Sequence, residues 1–476
     1  MYCQLDYLRR CTPRTKDIRR ALDGLPKTLD ETYAHTLEGI DEQKWEDAHR
    51  IFQCVAAASR PLSVGELAQF LAFDYEAEPM PRFLADWRPE DPTRAVLSTC
   101  SSLLAVVKPE GYRSPIVQFA HFSAQEYLMS PRLSKEQETR AISHFHFSMT
   151  QAHTFVAQAC LGLLLHLDET VTKDSLKKNF PLVKYAAQYW VAHARIEDVS
   201  SKVQDGMKRM FDPGKSHFFI WVWIYDPDCW FLKTKRFIKT GATPLYCAAF
   251  YGMHDVAKFL IVERSQDVNA RHSNNLTPLH AALSHRHLDI AHLLIEHGAD
   301  GNAWDDYSYT PLYLSLDYGY EEVARILLEK GADAKPPGKG DTSSWTSESA
   351  RGDVEVARLL LKRVADANTQ NNHGLTALHV ASAFGRVGIA RVLLEHHDGV
   401  DVNARGEGHS TPLHLASGGS SNLEERLNVV RLLVHCGSDI HARDDKGRTP
   451  FMIATEKGHH EIMQVLLECG AEDHRK

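Results

Sequence analysis

The sequence predicts a mainly α-helical chain: a small domain of three helices and a hairpin, a helical linker, and a long α-solenoid. Three observations carry that expectation. One short phrase recurs seven times through the second half at a period close to 33 residues. Apolar residues in the first half fall at helical spacings, and only two short runs, Leu103–Val107 and Ile116–Phe119, read as strands.

Length and composition set the bounds. At 476 residues the chain has room for roughly three domains of about 150 residues. An apolar fraction of 43% and a charged fraction of 24% are ordinary for a globular protein. The longest apolar run, Phe218 to Tyr225, has eight residues, well short of a membrane span. Nine cysteines, without a C-x-x-C pair, suit reduced thiols in the cytoplasm or nucleus. Basic and acidic residues number 15 and 19 over 1–130, 16 and 11 over 131–240, and 23 and 32 over 241–476. No stretch has the basic footprint of a nucleic-acid binder, and the acidic last part favours neutral or basic protein partners.

Residues 1–43 read as helical, with Leu5, Leu8, Ile18 and Leu22 at helix-like spacings, a break at Gly24 and Pro26, and a capping box from Thr28 to Glu31. Over 44–130 follow a helix from about Glu46 to Ala58, a second opened by Ser63 with Glu66, a third near Asp91-Pro92, and the two strands. Three helices and a hairpin in that order describe a winged helix. Its third helix, Thr93-Arg-Ala-Val-Leu-Ser-Thr-Cys-Ser-Ser, offers one Arg, where a DNA reader carries several cations. A structural or regulatory module is the reading it supports.

Residues 131–240 form the helical linker. Val156, Ala159, Cys160, Leu163 and Leu164 share one face; Leu182, Tyr185, Ala186, Tyr189 and Trp190 make a second stripe. Trp221, Trp223 and Trp230 are expected to pack this linker on the first repeat, with residues 226–240 as a seam.

The solenoid occupies 241–476. Its repeats begin at Thr243-Pro-Leu-Tyr, Thr277-Pro-Leu-His, Thr310-Pro-Leu-Tyr, a worn copy at Ser343-Ser-Trp-Thr, Thr376-Ala-Leu-His, Thr411-Pro-Leu-His and Thr449-Pro-Phe-Met. Period and wording are the signature of ankyrin repeats. Thr caps the first helix and Pro fits its first position. Gly252, Gly319, Gly385 and Gly458, nine residues after the Thr, are placed to end that helix in a left-handed conformation. Pairs such as Leu293-Leu294 and Leu327-Leu328 put the second helix on the same core. In repeat four, Lys335-Pro-Pro-Gly-Lys-Gly-Asp replaces the usual tip, predicting a weak joint; in repeat six, extra residues around Gly418–Arg426 predict an exposed bulge.

Leu25-Pro-Lys-Thr-Leu-Asp-Glu-Thr-Tyr, Ser59-Arg-Pro-Leu-Ser-Val-Gly-Glu-Leu-Ala and Val117-Gln-Phe-Ala-His-Phe-Ser-Ala-Gln-Glu-Tyr-Leu resemble the segments that follow the nucleotide-binding core of fungal NACHT-ankyrin proteins, NOD-like signal-transducing NTPases. Phe219-Ile-Trp-Val-Trp-Ile-Tyr-Asp-Pro-Asp is similar to their linker. The resemblance implies that His121 reads nucleotide phosphates when a core is supplied, and that a chain joined to such a core self-assembles. The family's phosphate loop is missing: in the one Gly-Lys-Ser, Gly214-Lys215-Ser216, the position five residues before Gly214 is Arg209. The run Phe219–Tyr225 before Asp226 imitates a strand carrying a Mg²⁺ ligand, but with no phosphate to serve. The chain is expected to be a fragment, a truncated gene model or a degenerate relative, with no catalysis and no cofactor of its own.

A protein ligand on the concave repeat surface is the expected partner. Position eight after the Thr recurs as Tyr251, His285, Tyr318 and Phe384, and Trp304, Tyr307 and Tyr309 are taken to extend that line as interface anchors. Packing against the next repeat is the alternative for each. The histidine pairs (His285 with His287, His396-His397, His459-His460) lack Cys or carboxylate at ligand spacing, so no metal is expected. An interaction protein is therefore the reading, ahead of a plain ankyrin scaffold and a DNA-binding regulator.

Overall fold

Thr28, accepting a hydrogen bond from the Glu31 N–H at 3.1 Å, opens the first described helix, α1 (Leu29–Glu38). The computed structural model describes residues 28–100, 103–111, 114–131, 133, 140–225, 243–307, 309–333, 354–363, 367–371, 373–396 and 399–471; the helix expected from Leu5 to Leu22 lies outside them. The chain divides into two units, Met1–Pro244 and Leu245–Lys476.

In the first unit, α2 (Trp45–Ala57) buries Ala48, Ile51, Phe52 and Cys54, one face at three- and four-residue steps. Strand β1 (Leu62–Ser63) leads into α3 (Val64–Gln69), opened by a full capping box between Ser63 and Glu66. Arg60 adds a 2.6 Å ion pair to the same Glu66. Next come a small hairpin, β2 (Phe73–Asp74) and β3 (Arg82–Phe83), then α4 (Pro92–Cys100), β4 (Leu104–Val107) and β5 (Ile116–Phe119). The sheet runs β1-β5-β4, antiparallel, with Leu62 opposite Val117 and Val107 opposite Ile116. This is the winged helix. The β2–β3 hairpin is an addition that the sequence pattern does not show, held by an edge-on Phe73–Phe83 contact at 5.3 Å.

After α5 (Phe122–Leu128), the unit centres on α6 (Met149–His166), an 18-residue helix whose Val156, Ala159, Cys160 and Leu163 are fully buried. Gly162 lies against β3's approach: a Cβ there would stand 2.4 Å from the Pro81 carbonyl oxygen, so only glycine fits. Helices α7 (Lys173–Asn179), α8 (Val183–Ala194), α9 (Val199–Phe211) and α10 (His217–Ile224) complete the bundle. The apolar run that imitated a strand is α10, buried from Phe218 to Trp223. Trp221 donates its indole N–H to the Ala187 carbonyl at 2.8 Å and its ring meets Trp190, Phe211 and Phe218. Lys173 lies over Trp223 at 5.5 Å. Two of the three tryptophans assigned to a joint with the repeats thus have partners inside this bundle; Trp230 lies outside the described residues.

The second unit is an ankyrin stack. Its inner helices are α11 (Pro244–Phe250), α13 (Pro278–Ser284), α15 (Pro311–Tyr318), α18 (Ala377–Ala383), α20 (Pro412–Gly418) and α22 (Pro450–Lys457). The outer ones are α12 (His254–Lys258), α14 (Leu288–Glu296), α16 (Glu321–Glu329), α17 (Val354–Arg363), α19 (Val387–His396), α21 (Leu423–His435) and α23 (His460–Glu468). Thr277, Thr310, Thr376 and Thr449 cap inner helices through their hydroxyls. The expected glycines hold φ of +71°, +76°, +69° and +72°; in repeat two Arg286 takes that place at +62°. Repeat one is a residue longer before its Asn269, and a π-helical turn, Phe259–Glu263, absorbs the excess. The tip and cap of repeat four fall outside the described residues, while its outer helix α17 buries Leu360.

Repeat six departs from expectation. Its extra residues lengthen α21 to 13 residues behind a short loop, and they carry Arg426 inward until 2% of it is exposed. The guanidinium donates to the carbonyls of Ser421 and Ala416 at 3.1 Å each and to His459 Nε2 at 3.3 Å. The insert is therefore partly a packing device, because an arginine stem covers apolar surface while its head satisfies helix-end carbonyls.

Candidate protein-binding surface

The hairpin tips are built by a recurring bond set. Five residues before the capping Thr stands a short polar side chain that accepts two backbone N–H groups. Asp305 takes those of Tyr307 (2.9 Å) and Tyr309 (2.8 Å), Asn371 those of His373 and Leu375, and Asp444 those of Lys446 and Arg448. One residue on, an N–H reaches the preceding tip: Asp306 to the Asn274 carbonyl, Glu407 to that of His373, and Asp445 to that of Gly408. The carboxylates of that rung also accept from the preceding tip, Asp306 from Asn275 Nδ2, Glu407 from His373 and Asp445 from His409. On the opposite edge Asn269, Asn302, Asn368 and Asn403 accept the N–H of Asp300, Asp333, Asp401 and Asp439 at 2.6–2.7 Å.

On this scaffold the seven predicted anchors form two groups, which corrects the single line expected. Trp304, Tyr307 and Tyr309 sit at the tip that precedes α15. Tyr251, His285, Tyr318 and Phe384 sit at the far end of their inner helices, about 12 Å away for the eight residues from Thr310 to Tyr318. Tyr307 is 68% exposed, Trp304 45%, Tyr318 44% and Phe384 47%. Tyr251 is half-buried and His285 packs on Phe250 at 4.0 Å. Tyr309 stacks on Tyr313 at 4.8 Å with rings 8° from parallel. Packing within the stack thus claims part of His285 and Tyr309, and leaves Trp304, Tyr307, Tyr318 and Phe384 the most accessible.

Sequence reading missed the acidic rung and Tyr313, although an Asp or Glu four residues before Thr310, Thr411 and Thr449 is legible once the hairpin is known. His285 and His287 stack at 6.5 Å, and His459 bridges the Ser417 carbonyl and Arg426.

His121 caps α5. Its Nδ1 accepts the Ser123 N–H at 3.3 Å and stands 2.6 Å from the Ser123 hydroxyl, itself 2.7 Å from the Tyr33 hydroxyl. His121 and Phe122 are exposed, Phe122 by 69%. Gly214-Lys215-Ser216 is the turn between α9 and α10, the Gly214 N–H bonded to Asp212; a helix, not a strand, precedes it.

Comparison with known proteins agrees with the two architectures. Residues 245–337, 346–444 and 413–476 match the ankyrin-repeat family model, and residues 34–140 match that of the GPI inositol-deacylase winged helix domain. The azaphilone pigments biosynthesis cluster protein L of Monascus ruber is 30% identical over 289 residues, 57% of this chain and 59% of that protein. The chain therefore spans about three fifths of that relative's length. Human protein phosphatase 1 regulatory subunit 27 is 41% identical over 61 residues, 13% of this chain and 40% of that one. The ankyrin repeat domain of human ASB11 aligns over 49% of this chain and 100% of its own at 28% identity, with a TM-score of 0.41. Ankyrin repeats imply a protein–protein interaction role.

Proposed function

We propose that this chain is a non-catalytic, cytoplasmic interaction protein whose repeats capture a protein ligand on their concave side. The winged helix and bundle act as the regulatory half of a NACHT-type signalling protein. The observation that carries the reading is the set of exposed aromatic side chains held on hydrogen-bonded tips and helix ends of successive repeats, where an aromatic anchor loses little entropy on binding. Joined to a nucleotide-binding core, His121 would face the bound phosphates and ligand capture would release the winged helix for self-assembly. The resemblance of residues 117–128 to that family supports this part.

The test is a pull-down with the double variant Trp304→Ala, Tyr318→Ala. Loss of captured partner with an unchanged circular-dichroism spectrum is the expected result; undiminished capture would remove these residues from the interface. A plain adaptor is the second reading, favoured by the short stretch shared with the phosphatase regulatory subunit. Nucleotide binding by the chain rejoined to an upstream phosphate loop separates the two.

A further inference from the structure

The tip of repeat three gathers cation-binding groups on one exposed knuckle. The Tyr307 ring lies 6.3 Å from Tyr309 at 26°, and Tyr309 stacks in turn on Tyr313. Buried Asp305 pins the backbone of Tyr307 and Tyr309, so the tip that carries these rings is held before a partner arrives. Asp306 is exposed; it accepts from the neutral Asn275 amide at 2.6 Å, and it is in no ion pair among the described residues. On the same rung Glu407 and Asp445 accept hydrogen bonds from the His373 and His409 imidazoles. Arg271 donates to the carbonyls of Asn275 and Trp304, ordering the two tips.

Aromatic faces are electron-rich and attract planar cations, and a carboxylate beside them accepts two parallel N–H bonds from a guanidinium. The surrounding repeats carry 23 basic against 32 acidic residues, a field that draws a basic segment in. We propose that this knuckle binds an arginine side chain of a basic segment in the protein partner, its guanidinium laid on Tyr307 and paired with Asp306. The assignment rests on the interaction reading above and names the chemistry of the ligand.

The probe is a fluorescein-labelled peptide alternating arginine and glycine, with lysine and citrulline versions, titrated into the full chain and followed by anisotropy. Arginine should bind more tightly than lysine, and citrulline should not bind. Tyr307→Ala should weaken the arginine peptide by roughly threefold to thirtyfold, Asp306→Asn should weaken it and flatten its salt dependence, and Trp87→Ala, at an exposed aromatic of the first unit, should leave it unchanged. Equal binding of the arginine and lysine peptides, unaffected by Tyr307→Ala, would overturn the assignment as diffuse attraction. If that happens while Trp304→Ala with Tyr318→Ala still abolishes partner capture, the interaction reading stands and the arginine site alone falls.

Discussion

The imidazole of His280 ties two repeats together: Nε2–H donates to the Tyr309 carbonyl at 3.1 Å while Nδ1 accepts from Thr277, its hydroxyl at 2.8 Å and its N–H at 3.2 Å. His379 does the same between Thr376 and the Ser410 carbonyl, and His414 between Thr411 and the Arg448 carbonyl. Each ring is buried, and each is neutral by necessity, because one nitrogen donates and the other accepts. Replacing His379 with Ala strands a buried carbonyl and a cap at once, an expected loss of about 2–4 kcal/mol. Urea unfolding of the variant beside the parent chain checks it; a loss below a few tenths would show the bridge to be idle.

The same geometry fixes a pH dependence. Burial holds the folded pKa of His280, His379 and His414 below the ordinary value, against the backbone carbonyls that pull it up. The unfolded histidines titrate near 6.5, so below that pH the unfolded chain binds more protons. Stability of the stack is then complete above about pH 6.5 and falls as pH drops, by about 1.4 kcal/mol per pH unit for each histidine until its folded pKa is reached. Urea midpoints at pH 7.5, 6.0 and 5.0 measure the slope, and His414→Gln should reduce it by one proton's share.

How much of this was legible beforehand depends on the range of the forces involved. Thr caps, left-handed glycines and leucine pairs follow from local chemistry, so the repeat stack could be read from its wording. The winged helix was legible because three helices and two short β-like runs follow one another in its order. The β2–β3 hairpin has two residues per strand, too few for a pattern, and exists because Phe73 meets Phe83 while Gly162 admits the backbone. The split of the seven anchors into two groups was hidden for another reason: tip and helix-end residues stand on either side of an inner helix, and a line drawn through the sequence ignores that helix's length. Inward-turned Arg426 looked like loop because a charged residue there reads as solvent-facing.

A second titration belongs to the first unit. His193 is fully buried, accepts from the Tyr185 hydroxyl at 2.8 Å on Nε2 and meets His153 nitrogen to nitrogen at 2.8 Å. Burial, then the neighbouring His153, pulls its pKa down to about 4. The unfolded residue again protonates near 6.5, so between about pH 6.5 and 4 this unit loses about 1.4 kcal/mol per pH unit through this group. Tryptophan fluorescence of α8 and α10 across acid titration should report the loss, and His193→Gln should flatten it. An unaltered slope in that variant would place the proton uptake elsewhere.

The winged helix makes a contrary prediction about nucleic acid. Its third helix, α4, exposes Arg94 as its one basic residue, and residues 1–130 carry 15 basic against 19 acidic side chains. With so few phosphates neutralised, binding to a labelled mixed-sequence duplex should stay weaker than about 10⁻⁴ M at physiological salt. Anisotropy that rises at micromolar protein, and falls steeply with added salt, would reverse the assignment of this domain.

Arg426 offers the sharpest test of the stack's interior. Three of its nitrogens are spent on the Ser421 and Ala416 carbonyls and on His459, whose other nitrogen donates to the Ser417 carbonyl, so one guanidinium closes both ends of the repeat-six insert. The stem also packs beside Gly385, where an added Cβ would stand 3.2 Å from it. Arg426→Ala removes packing and leaves buried acceptors unpaired, an expected cost of about 2–4 kcal/mol. Arg426→Met keeps most of the stem and loses only the bonds, so it should cost about half as much. Thermal unfolding of the two variants separates these terms: equal losses would assign the stabilisation to the hydrogen bonds, and a harmless Met variant would assign it to the stem.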